Sequence, residues 1–177
     1  MRLMKKLKEL FRKPLPIPNP ISVKNPVTFN QLFFLINLYL WMLENPQAVY
    51  NKLEINSLIA INFYGLRKKH YFPDNSFDDF KNRNGYPISE YLDDLYIVKE
   101  KEELISELDL SFDLTNKGKR VVEIVKRGNY YDYDFFDKSI EHFNQELIDS
   151  INSNIEKLKF LPDKSLISIS LSYIRRK

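Results

Sequence analysis

The chain has 177 residues, of which 44% are hydrophobic and 29% charged, values that belong to a globular protein and exclude whole-chain disorder or a collagen-like fibre. Cysteine is absent, histidine occurs twice and glycine four times, which excludes disulfides, thiolate and His-rich metal sites, thiol catalysis and a glycine-rich phosphate loop. The net charge of +3 is unevenly laid out: residues 1–24 carry seven basic groups and one acid, residues 175–177 carry three basic groups, and the span between them is net acidic by six.

Residues 2–13 place Leu3, Met4, Leu7, Leu10 and Phe11 at helical spacing among Arg2, Lys5, Lys6, Lys8, Arg12 and Lys13. This is a short basic amphipathic stretch. Leu3, Lys5, Lys6, Leu7, Leu10 and Phe11 are the set an anionic membrane surface would take. Docking on a partner, or a frayed terminal helix, fits the same residues, because so short a helix is marginal alone. No long apolar run or small-residue cleavage site follows, so a signal peptide is not expected and the expected setting is cytoplasmic. Pro14, Pro16, Pro18, Pro20 and Pro26 then forbid helix and favour extended chain. Residues 1–26 therefore read as an arm, and residues 27–177 as one helical domain.

Residues 28–43 form the most hydrophobic segment, with Thr28 as its cap. Asn30, Gln31, Asn37 and the short length exclude a membrane span, so a buried central helix is expected. Val49, Leu53, Leu58, Ile61 and Phe63 predict a second helix over 47–64, followed by the basic cluster Arg67, Lys68 and Lys69. Cations are also favoured at a helix C-terminus for purely structural reasons. Residues 71–88 read as loop, with Asn84-Gly85 as a turn. Ser89 caps a helix reaching toward Glu107, or two short ones over 89–95 and 100–108. Residues 110–114 predict a short strand, and Thr115 opens a helix whose apolar side is Val121, Val122, Ile124 and Val125. Gly118 within it is costly. Phe136, Ile140, Phe143, Leu147, Ile151, Ile155 and Leu158 predict one long helix over 133–160, ended by Pro162. Ile167, Ile169, Leu171 and Tyr173 alternate between serines, which predicts a final strand over 166–173. The expected fold is mainly α: a compact helical domain with a short strand element, winged-helix-like in the middle over 86–127.

Within that middle, G-Y-P-I-S-E-Y-L-D-D-L over 85–95, followed by L-T-N-K-G over 114–118, resembles small helical domains of the Panacea or YwgA type, found in bacterial antitoxins and phage-linked genes. The resemblance runs over roughly 28–127, with the apolar helix at 28–43 in the place of the leading Leu-rich helix of those domains. It departs from their pattern at Gly85-Tyr86-Pro87, where they carry an aromatic-Gly-Pro segment, and over 46–80. It implies a toxin-neutralising or regulatory protein–protein role and brings no catalytic residues. Abundant Asn, Lys and Ile fit an AT-rich bacterial or mobile-element genome.

If the middle unit met nucleic acid, Lys117, Lys119, Arg120, Lys126 and Arg127 would face phosphates, joined by Arg67, Lys68 and Lys69. Lys119, Arg120 and Lys126 cannot share one narrow face, and Glu123 interrupts them. Tyr130, Tyr131, Asp132, Tyr133 and Asp134 make an acidic aromatic surface suited to a basic protein partner, and Trp41 would join the protein-binding set if exposed. Asp132, Asp134 and Asp137 read better as helix caps than as cation ligands. The pairs Asp78-Asp79 and Asp93-Asp94 lack any matching nucleophile. His142 reads as a border core residue and His70 as a loop group. The expected function is non-enzymatic binding of a protein partner in a regulatory, phage or mobile-element role, with no cofactor. Nucleic-acid binding and membrane attachment through residues 2–13 are the alternatives.

Overall fold

The structure is a computed structural model that describes residues 27–45, 52–73, 76, 78–108, 111–128, 136–161 and 163–176. It is mainly helical. In chain order the elements are α1 (Phe29–Glu44), α2 (Lys52–Arg67), β1 (Lys81–Arg83), β2 (Tyr86–Ile88), α3 (Glu90–Lys101), β3 (Ile105–Leu108), β4 (Ser111–Leu114), α4 (Asn116–Lys126), a 3-10 turn (Lys138–His142), α5 (Gln145–Leu158) and α6 (Asp163–Arg175). The strands form two separate antiparallel pairs, β1 with β2 and β3 with β4.

α1 is the central element. Its residues are apolar on nearly every face, and such a helix satisfies itself only by being surrounded. It packs on α2, α4, α5 and β4, and buries Phe29, Leu32, Phe33, Phe34, Leu35, Ile36, Leu38 and Leu40. Full burial of a Phe or Leu contributes about 1.5–3 kcal/mol relative to exposure. Thr28 caps α1 as expected: its hydroxyl accepts from the Gln31 amide, and the Gln31 side chain accepts from the Thr28 amide at 3.0 Å. The chain ahead of the cap is pinned at Val27, which is fully buried and whose carbonyl accepts from Asp137 N at 3.1 Å.

α2 lies against α1, and the two share a buried polar contact. Asn62 Nδ2 donates to Asn37 Oδ1 at 2.5 Å, and Asn37 Nδ2 donates to the Phe33 carbonyl at 2.8 Å. Phe72, beyond α2, meets Phe29, Phe33 and Phe63 at 4.8–5.5 Å between ring centres, each nearly edge-on. Edge-to-face rings of this kind add attraction beyond their buried area. They fasten the loop after α2 onto the N-terminal end of α1.

Four expectations are corrected. The segment 166–173 is helical, part of α6. Its hydroxyls turn back onto its own backbone, Ser170 Oγ donating to Ile167 O at 2.8 Å and Ser172 Oγ to Ile169 O at 2.7 Å. The inward residues are Leu166, Ser170 and Leu171, a helical spacing that the alternating isoleucines disguise. The long helix over 133–160 is instead a 3-10 turn and α5, because Asn144 caps α5 by accepting from Leu147 N at 2.9 Å while Phe143 is extended. That break leaves His142 exposed rather than at the core border. α3 is a single helix ending at Lys101, and residues 105–108, expected to be helical, pair with 111–114 as a hairpin. Glu103 turns the chain there at φ +59°. Finally, residues 81–88 form a hairpin within the expected loop, with Asn84 and Gly85 at φ +54° and +85°, the two positive values of a tight hairpin turn.

Ser89 and Thr115 cap α3 and α4 as expected, their hydroxyls accepting from Leu92 N at 3.3 Å and Gly118 N at 3.1 Å. Gly118 has a structural reason: a Cβ there would lie 2.2 Å from the Leu104 carbonyl oxygen. Among the described residues, no helix is long and apolar enough to cross a membrane.

Candidate functional site

α2 and α6 pack closely along their lengths, and their C-terminal turns meet. Ser170 is fully buried on α6. Where the two turns meet, Tyr64, Arg67 and Lys68 from α2 and its end face Tyr173 and Arg176 from α6 and its end across a cleft of about 390 Å3. A second cleft of about 310 Å3 is lined by Arg67, His70, Phe72, Pro73, Ser76 and Asp78. Arg67 lines both.

Local rules explain how these groups arrive. Cations gather at helix C-termini, where the unsatisfied carbonyls carry partial negative charge. Lys69 N bonds to Leu66 O at 2.8 Å and His70 N to Arg67 O at 3.0 Å, closing the last turn of α2. His70 completes the reversal at φ +58°, a left-handed conformation usually filled by glycine. Arg176 N bonds to Tyr173 O at 3.3 Å, so the end of α6 is ordered in the same way.

The electrostatics are asymmetric. Arg67 Nη1 lies 2.6 Å from Asp78 Oδ1, and both side chains are about half exposed. The guanidinium also sits 6.0 Å from the Phe63 ring centre, within cation–π range. Among the described residues, Lys68, Lys69, Arg175 and Arg176 have no carboxylate within ion-pair distance. The Tyr64 phenol is pushed above its ordinary value, chiefly by burial and then by the Asp78 charge, with Arg67 opposing and Asp79 adding to the rise. It therefore remains protonated at neutral pH. The larger cleft thus offers a cationic wall and two tyrosines, and it suits a ligand that is anionic and has flat or extended parts.

Of the sequence-predicted residues, Arg67 and Lys68 fall in this cleft, and Lys69 is exposed on the same turn. The cations of α4 are disposed differently. Lys117 Nζ donates to Glu102 O at 2.8 Å, and Lys126 lies 3.5 Å from Glu123 and 5.3 Å from the Tyr39 ring centre. Lys119 is half-buried, while Arg120 and Arg127 are exposed. α4 packs on α1 and β4, not along the α2–α6 seam, so the expected joint patch is split between two places. Trp41 is 5% exposed and belongs to the core, so it presents no ring to a partner. Tyr130, Tyr131, Asp132, Tyr133 and Asp134 lie outside the described residues, as do Leu3, Lys5, Lys6, Leu7, Leu10 and Phe11.

The aspartate pair at 78–79 is divided. Asp78 holds Arg67, whereas Asp79 accepts from Ser89 Oγ at 2.7 Å and from Tyr91 N at 3.3 Å, anchoring the start of α3. The two neighbouring carboxylates thus engage different partners. Among the described residues, no cluster of three or more His, Cys, Asp or Glu is placed to hold a metal ion. Tyr64, Tyr173 and Arg176 were not named as a site from the sequence. Their signal was the basic end at 175–177, which carries no hint of its neighbour until α6 is read as a helix.

Comparison of the chain with known protein families, curated proteins and solved structures finds no match.

Proposed function

We propose that the chain is a non-enzymatic, protein-binding regulatory protein whose recognition surface is the cleft between the C-terminal turns of α2 and α6. The observation that carries this reading is the convergence of Arg67, Lys68 and Arg176 with Tyr64 and Tyr173 around about 390 Å3 of space. Tyrosine and arginine are enriched at protein interfaces and among the residues that carry their binding energy, tyrosine as a large ring with few rotatable bonds and arginine as a planar, multiply donating cation. Uncompensated cations steer an acidic partner toward the cleft and raise its rate of encounter. The regulatory, phage or mobile-element setting draws its support from the resemblance to Panacea and YwgA domains over 85–95 and 114–118.

Nucleic acid is the second reading, and the same cleft favours it, since rings and cations also hold single strands. A pull-down with the full chain, run with and without nuclease, separates them. The proposal expects a discrete protein that survives nuclease and is lost when Lys68 and Arg176 are both changed to Glu. Recovery of bulk nucleic acid, with loss of all partners after nuclease, contradicts it.

A further inference from the structure

Among the described residues, the Arg67–Asp78 pair is the one cleft contact in which a carboxylate already sits on a cleft cation, at 2.6 Å. Both side chains are about half exposed, at 48% and 45%, so the pair is open to exchange with solvent or ligand. An exposed pair of this kind contributes little to stability, about 0–1 kcal/mol. Described residues on either side of Asp78 have anchors of their own. Phe72 is locked among the rings of α1 and α2, Phe80 is buried beside Phe63 and Tyr64 at 6.0 Å, and Asp79 bonds to Ser89 and Tyr91. On the other side of Arg67, Lys68 and Arg176 face the larger cleft with no carboxylate of their own among the described residues.

We propose that the two clefts are one groove for a carboxylate-rich peptide segment, with Asp78 standing as a placeholder on Arg67 until an incoming carboxylate replaces it. This rests on the reading of the cleft as the protein-binding surface. Carboxylate is favoured over phosphate because the chain itself displays the arrangement, the Asp78 carboxylate on the Arg67 guanidinium. The cleft cations converge on a space the size of a few side chains. Incoming acidic groups meet Lys68 and Arg176 first. Displacing Asp78 then joins the two volumes across Arg67, extending the groove past His70 and Phe72.

The test is fluorescence anisotropy with a labelled oligoglutamate peptide and, separately, a labelled oligothymidylate, using the full chain at low salt. Oligoglutamate is expected to bind, and Arg176→Gln and Arg67→Gln to weaken it several-fold. Asp78→Asn is expected to tighten it by about two- to fivefold, the affinity equivalent of losing a weak internal competitor. Asp78→Ser should reproduce the gain, with thermal melting confirming that both variants fold. If Arg176→Gln and Lys68→Gln leave affinity unchanged, the cleft is not the binding surface and the functional reading falls with it. If they weaken binding but neither Asp78 variant tightens it, the placeholder is wrong and the cleft stands. Tighter, Arg176-dependent binding of oligothymidylate overturns the choice of carboxylate.

Discussion

Gly118 shows how one missing atom fixes a junction. A helix interior penalises glycine, yet any side chain at this position would be driven into the Leu104 carbonyl, which also accepts from Thr115 N at 3.1 Å. Gly118→Ala should therefore lower stability by about 1–3 kcal/mol through overpacking, although alanine is the better helix former. Urea denaturation of the two proteins checks this, and an equal or higher midpoint for the alanine variant contradicts it. Tyr39 donates its hydroxyl proton to Glu123, and burial, that hydrogen bond and the adjacent negative charge push its pKa from 10.0 up to about 12. The folded state then holds the proton more tightly than the unfolded state between those values. The resulting stability is present below pH 10 and is lost as pH rises toward 12. Tyr39→Phe should remove this alkaline loss, so thermal melts of the variant should fall less steeply across that window. Lys99 shifts the opposite way. It is fully buried with Glu102 at 2.5 Å, and burial lowers its pKa against the pull of that partner. Lys99 shares the inward face of α3 with Leu92, Leu95 and Tyr96 at helical spacing, but its charge and its charged neighbours Glu100 and Lys101 disguise it as an outward residue.

At the scale of elements, the caps were the most legible features. Thr28, Ser89 and Thr115 each stop the preceding chain and accept an amide of the next helix, a short-range chemistry that depends on a few neighbouring residues. Period was less reliable where two patterns overlapped. Ile167, Ile169 and Leu171 alternate as a strand would, but α6 uses Leu166, Ser170 and Leu171 inward, and its serines satisfy their hydroxyls on the helix's own carbonyls. The choice was made by a helix about a hundred residues earlier, α2, against which α6 packs. Ser170→Val adds volume at a fully buried position of α6 and should cost about 1–3 kcal/mol, measured as a lower melting temperature. An unchanged melting temperature would mean that the core has room at this position. The break at Phe143–Asn144 was hidden for a related reason. The apolar stripe keeps its rhythm across it, so only the capping asparagine betrays the boundary.

At the scale of the whole molecule, the fold class was readable because α1 is apolar on every side and α4 and α5 carry one-sided stripes, patterns that dictate burial whatever the partners. The candidate site was readable only in pieces. Charge counting isolated Arg67, Lys68 and Lys69 in one place and Arg175, Arg176 and Lys177 in another. Of the latter, Arg175 closes α6 and Arg176 lines a cleft with Arg67. Long-range adjacency of this kind is set by how α2 and α6 pack, and no local pattern encodes it. The cations of α4 illustrate the converse. They are conspicuous in the sequence, yet Lys117 and Lys126 are engaged by backbone, carboxylate and ring neighbours of their own. The central claim is that recognition occurs at the meeting of the α2 and α6 ends rather than along α4. The most direct measurement is an amide-resolved NMR titration of the full chain with oligoglutamate. The account predicts shifts concentrated at residues 64–70 and 173–176, with α4 silent. Shifts centred on Lys119, Arg120, Lys126 and Arg127, or no shifts at saturating peptide, would contradict it.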